Sequence, residues 1–164
     1  MKLQKITKTA IISALYCVLT LAFAPVSYGV IQLRVSEVLT VLPKFLKSSI
    51  LGLTIGCFLS NYIGMAFVGS TGIIDVVFGT LATFLAGICS YLTRKNKWLV
   101  ALFPVLFNGV IVGGYLHFIA YTNINIFLCM LYVAIGEALV TYVLGIPLIN
   151  FVLKTNKIGE ILND

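Results

Sequence analysis

Long apolar runs fill this chain, and clusters of basic residues punctuate them. Lys2, Lys5 and Lys8 precede a first run from about Thr9 to Val26. A second, shorter run covers about Val35 to Leu46, with Lys44 and Lys47 at its end. The third extends from about Ser48 to Phe67 and the fourth from about Ile74 to Leu92. Arg94, Lys95 and Lys97 interrupt before a fifth, about Trp98 to Phe118, and a sixth, about Asn125 to Leu153, which ends at Lys154 and Lys157. A helix rises about 1.5 Å per residue, so a hydrocarbon core about 30 Å thick takes about 20 residues to cross. Five runs meet that length. The second is short, which fits a half-inserted helix or one surrounded by protein.

The basic clusters orient these runs, because short cytoplasmic loops carry an excess of Lys and Arg. With six spans and cytoplasmic N- and C-termini, residues 1–8, 43–48, 93–97 and 154–164 all face inside. Those segments hold every Lys and Arg except Arg34. The outer loops near Gly69–Gly72 and Tyr121–Asn125 hold none. A five-span count would put Lys44 and Lys47 outside. The chain is therefore read as an all-α membrane protein, a six-transmembrane-helix bundle with a short second helix, forming one integral membrane domain over residues 1–164. A competing reading takes Lys2–Lys8, the first run and Ala22-Phe23-Ala24 as a signal peptide with a small-residue cleavage site. Ala10, Ser13 and Ala14 favour a helix-packing face instead.

Composition agrees: 60% of residues are hydrophobic and 10% charged, against about 25% charged in soluble domains. The net charge of +6 sits in loop clusters, which is a membrane-topology pattern and no phosphate-binding face, so no nucleic-acid partner is implied. Cys17, Cys57, Cys89 and Cys129 lie far apart inside apolar runs, without metal or redox spacing, and read as small buried thiols.

Polar groups within the runs carry the functional signal, since a charge at the centre of a span costs about 2.5–3.5 kcal/mol on insertion scales. Arg34 and Glu37 open the short second run. Asn61 and Tyr62 fall toward the outer end of the third, and Asp75 opens the fourth, close to Thr71. Tyr115 and His117 close the fifth, with Asn108 near its middle. Tyr132 and Glu137 occupy the outer half to middle of the sixth. Nearly all these groups share the outer half of the bilayer, which predicts a pocket open to the outside. Each has a plainer reading. Arg34 and Glu37 suit an i, i+3 pair at a helix start with Ser36 or Glu37 as cap, and Asp75 suits a helix N-terminus. Asn108 suits a bond to a neighbouring helix, and His117 an ordinary interfacial residue. Glu137 lies too deep to cap a helix. The tyrosines suit interfacial belts or stacking on a flat ligand.

Ala10–Ala14, Gly52–Gly56 and Gly109–Gly113 each place two small residues one turn apart, which lets helices approach closely. No phosphate-cradling Gly-rich loop, His-Glu-x-x-His motif or Ser/His/Asp set is present, so neither a catalytic constellation nor a metal or cofactor is implied.

Tyr28-Gly-x-Ile-Gln-x-Arg-x-Ser-Glu-x-Leu-Thr-x-Leu-Pro43, Gly52-Leu-x-x-Gly-Cys57, Asn61 and Asp75-x-x-Phe-Gly-Thr-Leu-Ala-Thr83 resemble the queuosine-precursor transporter (QueT-type) family. Its members are S components, the substrate-binding subunits of energy-coupling factor (ECF) transporters. The resemblance covers almost the whole chain. It implies the S-component fold, a transmembrane coupling protein and two ATPase subunits as partners, and a 7-deazaguanine ligand: preQ1, preQ0 or queuine. It also maps the coupling-protein docking motif onto Ala10 and Ala14. For such a base, Glu137 or Glu37 is expected on the two N–H donors of the guanine-like edge, and Arg34, Gln32 or Asn61 on the ring carbonyl. Asp75 is expected near a cationic arm or as a cap. Asn108, Tyr115 and Tyr132 complete the expected set. The alternatives are an S component for a pterin or thiamine-like compound, and a small membrane enzyme or assembly factor.

Overall fold

A computed structural model describes residues 2–29, 31–67 and 72–155 of the chain. Thr71, most of the Gly69–Gly72 loop and the tail with Lys157 lie outside the described residues. Five helices are long and apolar enough to cross a membrane, and no strand occurs among the described residues. They are α1 (Lys2–Ala22), α2 (Ser49–Phe67), α3 (Asp75–Leu92), α4 (Lys97–Ile119) and α5 (Ile126–Lys154).

Local chemistry explains several boundaries. Pro25 has no N–H to continue the ladder of α1, which stops at Ala22, and it is accommodated at the start of a short helical turn, Ala24–Ser27, that redirects the chain. Asn96 and Asn125 accept from the N–H groups of Trp98 and Phe127, capping α4 and α5. Pro104 lies inside α4 and cannot bond the Val100 carbonyl one turn back; the Ser90 hydroxyl of α3 donates to that carbonyl at 2.9 Å instead.

The short second run is not an α-helix. Val35–Lys44 forms ten residues of 3₁₀ helix. At about 2.0 Å per residue this reaches roughly 20 Å, farther than an α-helix of the same length. It threads between two parts of the core. Leu39, Leu42 and Phe45 pack on Ile12, Tyr16, Leu46, Leu53 and Cys57, while Val41 joins Val100, Ala101, Ile146 and Ile149. Gly145 of α5 permits the second contact, because a Cβ there would stand 2.7 Å from a Val41 methyl. Five of its ten residues, Ser36, Glu37, Thr40, Val41 and Pro43, are buried by protein.

Two small-residue pairs do internal packing. A Cβ on Gly52 or Gly56 would press on Ile12, Ser13 and Tyr16 of α1, and one on Gly113 would meet Met130 backbone of α5 at 2.5 Å. Ala10 and Ala14 differ: both are exposed, on the rim of a groove of about 980 Å³ between α1 and α2. The basic clusters meet at one end of the bundle. Lys44 donates to the Arg94 carbonyl at 2.7 Å, and Lys97 to Asn150 at 2.9 Å. Arg34 and Asp75 lie toward the other end.

Candidate functional site

Three helices and the irregular stretch before the 3₁₀ segment converge on Asp75. Arg34 donates through Nη2 to both carboxylate oxygens, at 3.3 and 3.4 Å, and through Nε to the Ser27 carbonyl at 3.3 Å. Its guanidinium also lies 5.4 Å from the centre of the Tyr28 ring. The Tyr115 hydroxyl of α4 donates to Asp75 Oδ1, and Asn61 of α2 donates to the Asp75 carbonyl at 3.0 Å. A Cβ on Gly79 would sit 2.8 Å from Asn61 Nδ2, so glycine is what lets α2 and α3 close over this knot. Asp75 therefore serves tertiary pairing rather than helix capping.

Glu37 belongs to a second, adjoining group. The fully buried Tyr16 hydroxyl of α1 donates to Glu37 Oε1, and Thr20 bonds Ser36 at 2.7 Å, so α1 and the 3₁₀ segment are stitched at consecutive positions. Arg34 and Glu37, three residues apart, form no side-chain pair with each other: each goes to a different helix. Glu137 on α5 is 3% exposed and lies within electrostatic reach of Glu37 and Arg34. Thr141 donates to its backbone carbonyl at 2.8 Å.

Widened π turns sit at three of these positions. Asp75 opens one (Asp75–Gly79), Asn108 opens another (Asn108–Val112), and the third (Leu139–Gly145) follows Glu137 by two residues. Such turns shift the side-chain register and concentrate at functional sites. Gln32 is strained as well. It is 2% exposed and holds φ +47°, a left-handed conformation unusual for a residue other than glycine.

Six buried side-chain atoms have no partner among the described residues: Ser13 Oγ, Ser27 Oγ, Glu37 Oε2, Glu137 Oε2, Asn61 Oδ1 and Asn108 Nδ2. Each such orphan costs about 1–3 kcal/mol in a dry interior. Three acceptors and one donor among them are of the kind that a flat, donor-rich molecule can satisfy.

Comparison with known proteins agrees with the sequence resemblance. A family model described as QueT transporter matches residues 6–154. The chain belongs to the QueT transporter family. One relative, the Queuosine precursor transporter QueT of Lactococcus lactis subsp. cremoris (strain MG1363), is 40% identical over 86 residues. That stretch is 51% of this chain and 47% of the relative, so the chain matches about half the relative's length. No solved structure matches.

Within this QueT-family chain, Gln32, Arg34, Glu37, Asn61, Asp75, Asn108, Tyr115 and Glu137 are all wholly or largely enclosed. Tyr132 is half-buried on α5, more than one turn before Glu137. Tyr62 is exposed and stacks on Phe58, and His117 bonds the Ile124 carbonyl at 2.8 Å, so neither joins the knot. Tyr16, Ser27, Tyr28, Cys57 and Thr83 do not stand out as site residues in the sequence. Cys57 accepts from Thr83 at 3.3 Å and Asn61 at 3.5 Å, which helps aim the Asn61 amide. Ser13, Tyr16 and Thr20 are spaced like one helix face, and that polar stripe is the available signal.

Proposed function

We propose that this chain is the substrate-binding S component of an ECF-type importer and captures a queuosine precursor, a 7-deazaguanine base, outside the plasma membrane. The supporting observation is the orphaned set of Glu37, Asn61, Asn108 and Glu137. A guanine-like edge presents adjacent N–H donors that one carboxylate accepts in a charge-assisted, two-point bond. Among the described residues no side chain bonds the Glu137 carboxylate, so it suits that edge. The Asn108 amide suits a ring acceptor, and Asn61 Oδ1 a further N–H. Uptake would be driven by two ATPase partners acting through a membrane coupling protein.

The basic residues support an orientation. Lys44, Arg94 and Lys97 gather at one end, which the positive-inside bias assigns to the cytoplasm with both termini. This requires the 3₁₀ segment to act as the sixth crossing and turns the Arg34–Asp75 end outward.

Titrating the detergent-purified protein with preQ1, queuine and guanine tests the reading. Binding of a deazaguanine at least tenfold tighter than guanine is the expected result; equal or absent binding for all three sinks it, and tight binding of a pterin or thiamine instead would favour another S component.

The groove carrying Ala10 and Ala14 is the proposed docking face for the coupling protein. It is lined by Ile6, Leu51, Ile55 and Leu59, with Lys5 and Lys47 at the basic end. Ala14→Trp fills it without touching Tyr16 or Glu37. Uptake by cells should then fall to background while the purified variant keeps its ligand affinity. If affinity falls in parallel, the groove is not a separate docking face.

A further inference from the structure

The basic end of the bundle lies away from the Arg34–Asp75 knot and carries a cluster of its own. Lys44, Arg94 and Lys97 belong to two loops in the sequence. The fold gathers them where the 3₁₀ segment ends, between the α3–α4 turn and the last turns of α5. Lys44 and Lys97 are both half-buried there, and Lys97 lies within electrostatic reach of Lys44. Each ammonium donates to a neutral acceptor: Lys44 to the Arg94 carbonyl at 2.7 Å, Lys97 to the Asn150 side-chain oxygen at 2.9 Å. An ammonium carries three donors, so these contacts leave two on each. Arg94 is exposed, its guanidinium 4.5 Å from the centre of the Tyr91 ring, and Lys97 lies 5.5 Å from that of Trp98. Among the described residues no carboxylate pairs with any of the three cations. The acids there are Glu37, Asp75 and Glu137, all enclosed; Glu160 and Asp164 lie outside the described residues.

Like charges held together at partial burial repel one another, and an anion seated between them reverses the sign of that interaction. The surface beside the cluster says what kind of anion. Leu92, Trp98 and Phe151 stand within two residues of Arg94, Lys97 and Asn150 in the chain, and all three are exposed. Trp98 stacks on Tyr142 at 6.1 Å, an aromatic pair of the sort that sits at headgroup level in a bilayer. Cations next to exposed apolar side chains match a molecule with a phosphate head and hydrocarbon tails, and basic pockets between membrane helices take such lipids. We propose that the cluster is a headgroup site for an anionic phospholipid. Its phosphate oxygens accept from Lys44 and Lys97, with Arg94 at the rim, and its acyl chains run along Leu92, Trp98 and Phe151. Three cations exceed the charge of one phosphate, so a lipid with two phosphates is the better match. None of these residues belongs to the ligand pocket, so the lipid site stands independently of the transport reading.

The test is native mass spectrometry of the full chain, purified in a neutral detergent and titrated with cardiolipin, phosphatidylglycerol or phosphatidylcholine. Two to three basic contacts predict retention of the anionic lipids about 10- to 100-fold stronger than of phosphatidylcholine, with cardiolipin the strongest. Lys44→Gln and Lys97→Gln each keep an N–H for the oxygen they bond, so the fold is retained, and each should lower that preference about fivefold. Lys5→Gln removes one charge from the same end of the bundle and should leave the preference within about twofold, because screening confines each contact to its neighbourhood. If Lys5→Gln costs as much as Lys97→Gln, the attraction is to a diffuse basic face and the site is overturned. Displacement of the lipid by excess inorganic phosphate would likewise overturn it, in favour of a free-anion site. Equal retention of all three lipids by the parent chain also sinks the proposal. A preference that then appears only in Glu160→Gln/Asp164→Asn would assign the cations to the chain's own acidic tail.

Discussion

Arg34→Met is expected to lower the unfolding free energy by about 3–5 kcal/mol, the usual cost of removing one partner from a buried ion pair. Asp75 is completely buried, and without the guanidinium its carboxylate would keep only the Tyr115 hydroxyl. The Ser27 carbonyl would lose its donor too. Arg34 ties the stretch before the 3₁₀ segment to the start of α3, so the loss extends beyond one contact. Reversible denaturation of the detergent-solubilised protein measures it. The double variant Arg34→Met/Asp75→Asn should regain most of the stability, because no charge is then stranded and the Tyr115 hydroxyl can still donate to the amide oxygen that replaces the carboxylate. If the double variant is as unstable as the single one, Arg34 acts through something other than Asp75.

The long spans were legible because their signal is additive. A run of about twenty apolar residues states its own length, and basic clusters mark its ends. Observed and expected boundaries differ by only a few residues in α2 to α5. The first helix extends back into the basic residues to Lys2, since lysine is itself a good helix former. The second run resisted. Ten residues are too few for periodicity to separate one helix type from another. Its 3₁₀ form places Glu37, Thr40 and Pro43 on one buried stripe at three-residue spacing. What rewards that stripe is contact with α1 on one side and α5 on the other, which only the tertiary structure supplies.

Which polar groups would be buried was legible for a different reason: a membrane makes every buried charge conspicuous. Pairing was not. Proximity along the chain suggested Arg34 with Glu37, whereas the partners are Asp75, 41 residues away, and Tyr16, 21 residues from Glu37. Long-range pairing is set by how the helices pack, and no local rule reports it. Hydroxyl groups are easily overlooked because they are inexpensive in a helix, where they can bond back to their own backbone, as Thr20 does to the Tyr16 carbonyl at 2.9 Å. The face shared by Ser13, Tyr16 and Thr20 gains meaning only once Ser36 and Glu37 are seen opposite it.

Two glycine substitutions separate a steric requirement from helix propensity. A Cβ on Gly136 would collide with the Ile31 carbonyl, and its next contact is the Ile31 Cγ2 at 3.1 Å. The obstacle is backbone, so no rotamer change relieves it. In Gly136→Ala either α5 retreats, carrying Glu137 with it, or the stretch through Gln32 and Arg34 moves. Overpacking of this kind costs about 1–3 kcal/mol, and a displacement near 1 Å between Glu137 and Arg34 is enough to lower ligand affinity by roughly 100-fold. Gly114→Ala is the matched control. Its Cβ would meet only the flexible end of Met130 at 3.4 Å, and alanine gains about 0.8–1.0 kcal/mol over glycine in a helix. That variant should be as stable as the parent or more so, with its ligand affinity preserved. Parallel denaturation and binding titrations distinguish the two. Should Gly136→Ala bind as the parent does, the stretch before Arg34 is not held against α5 as tightly as this geometry requires, and the Glu37–Glu137 arrangement must tolerate movement.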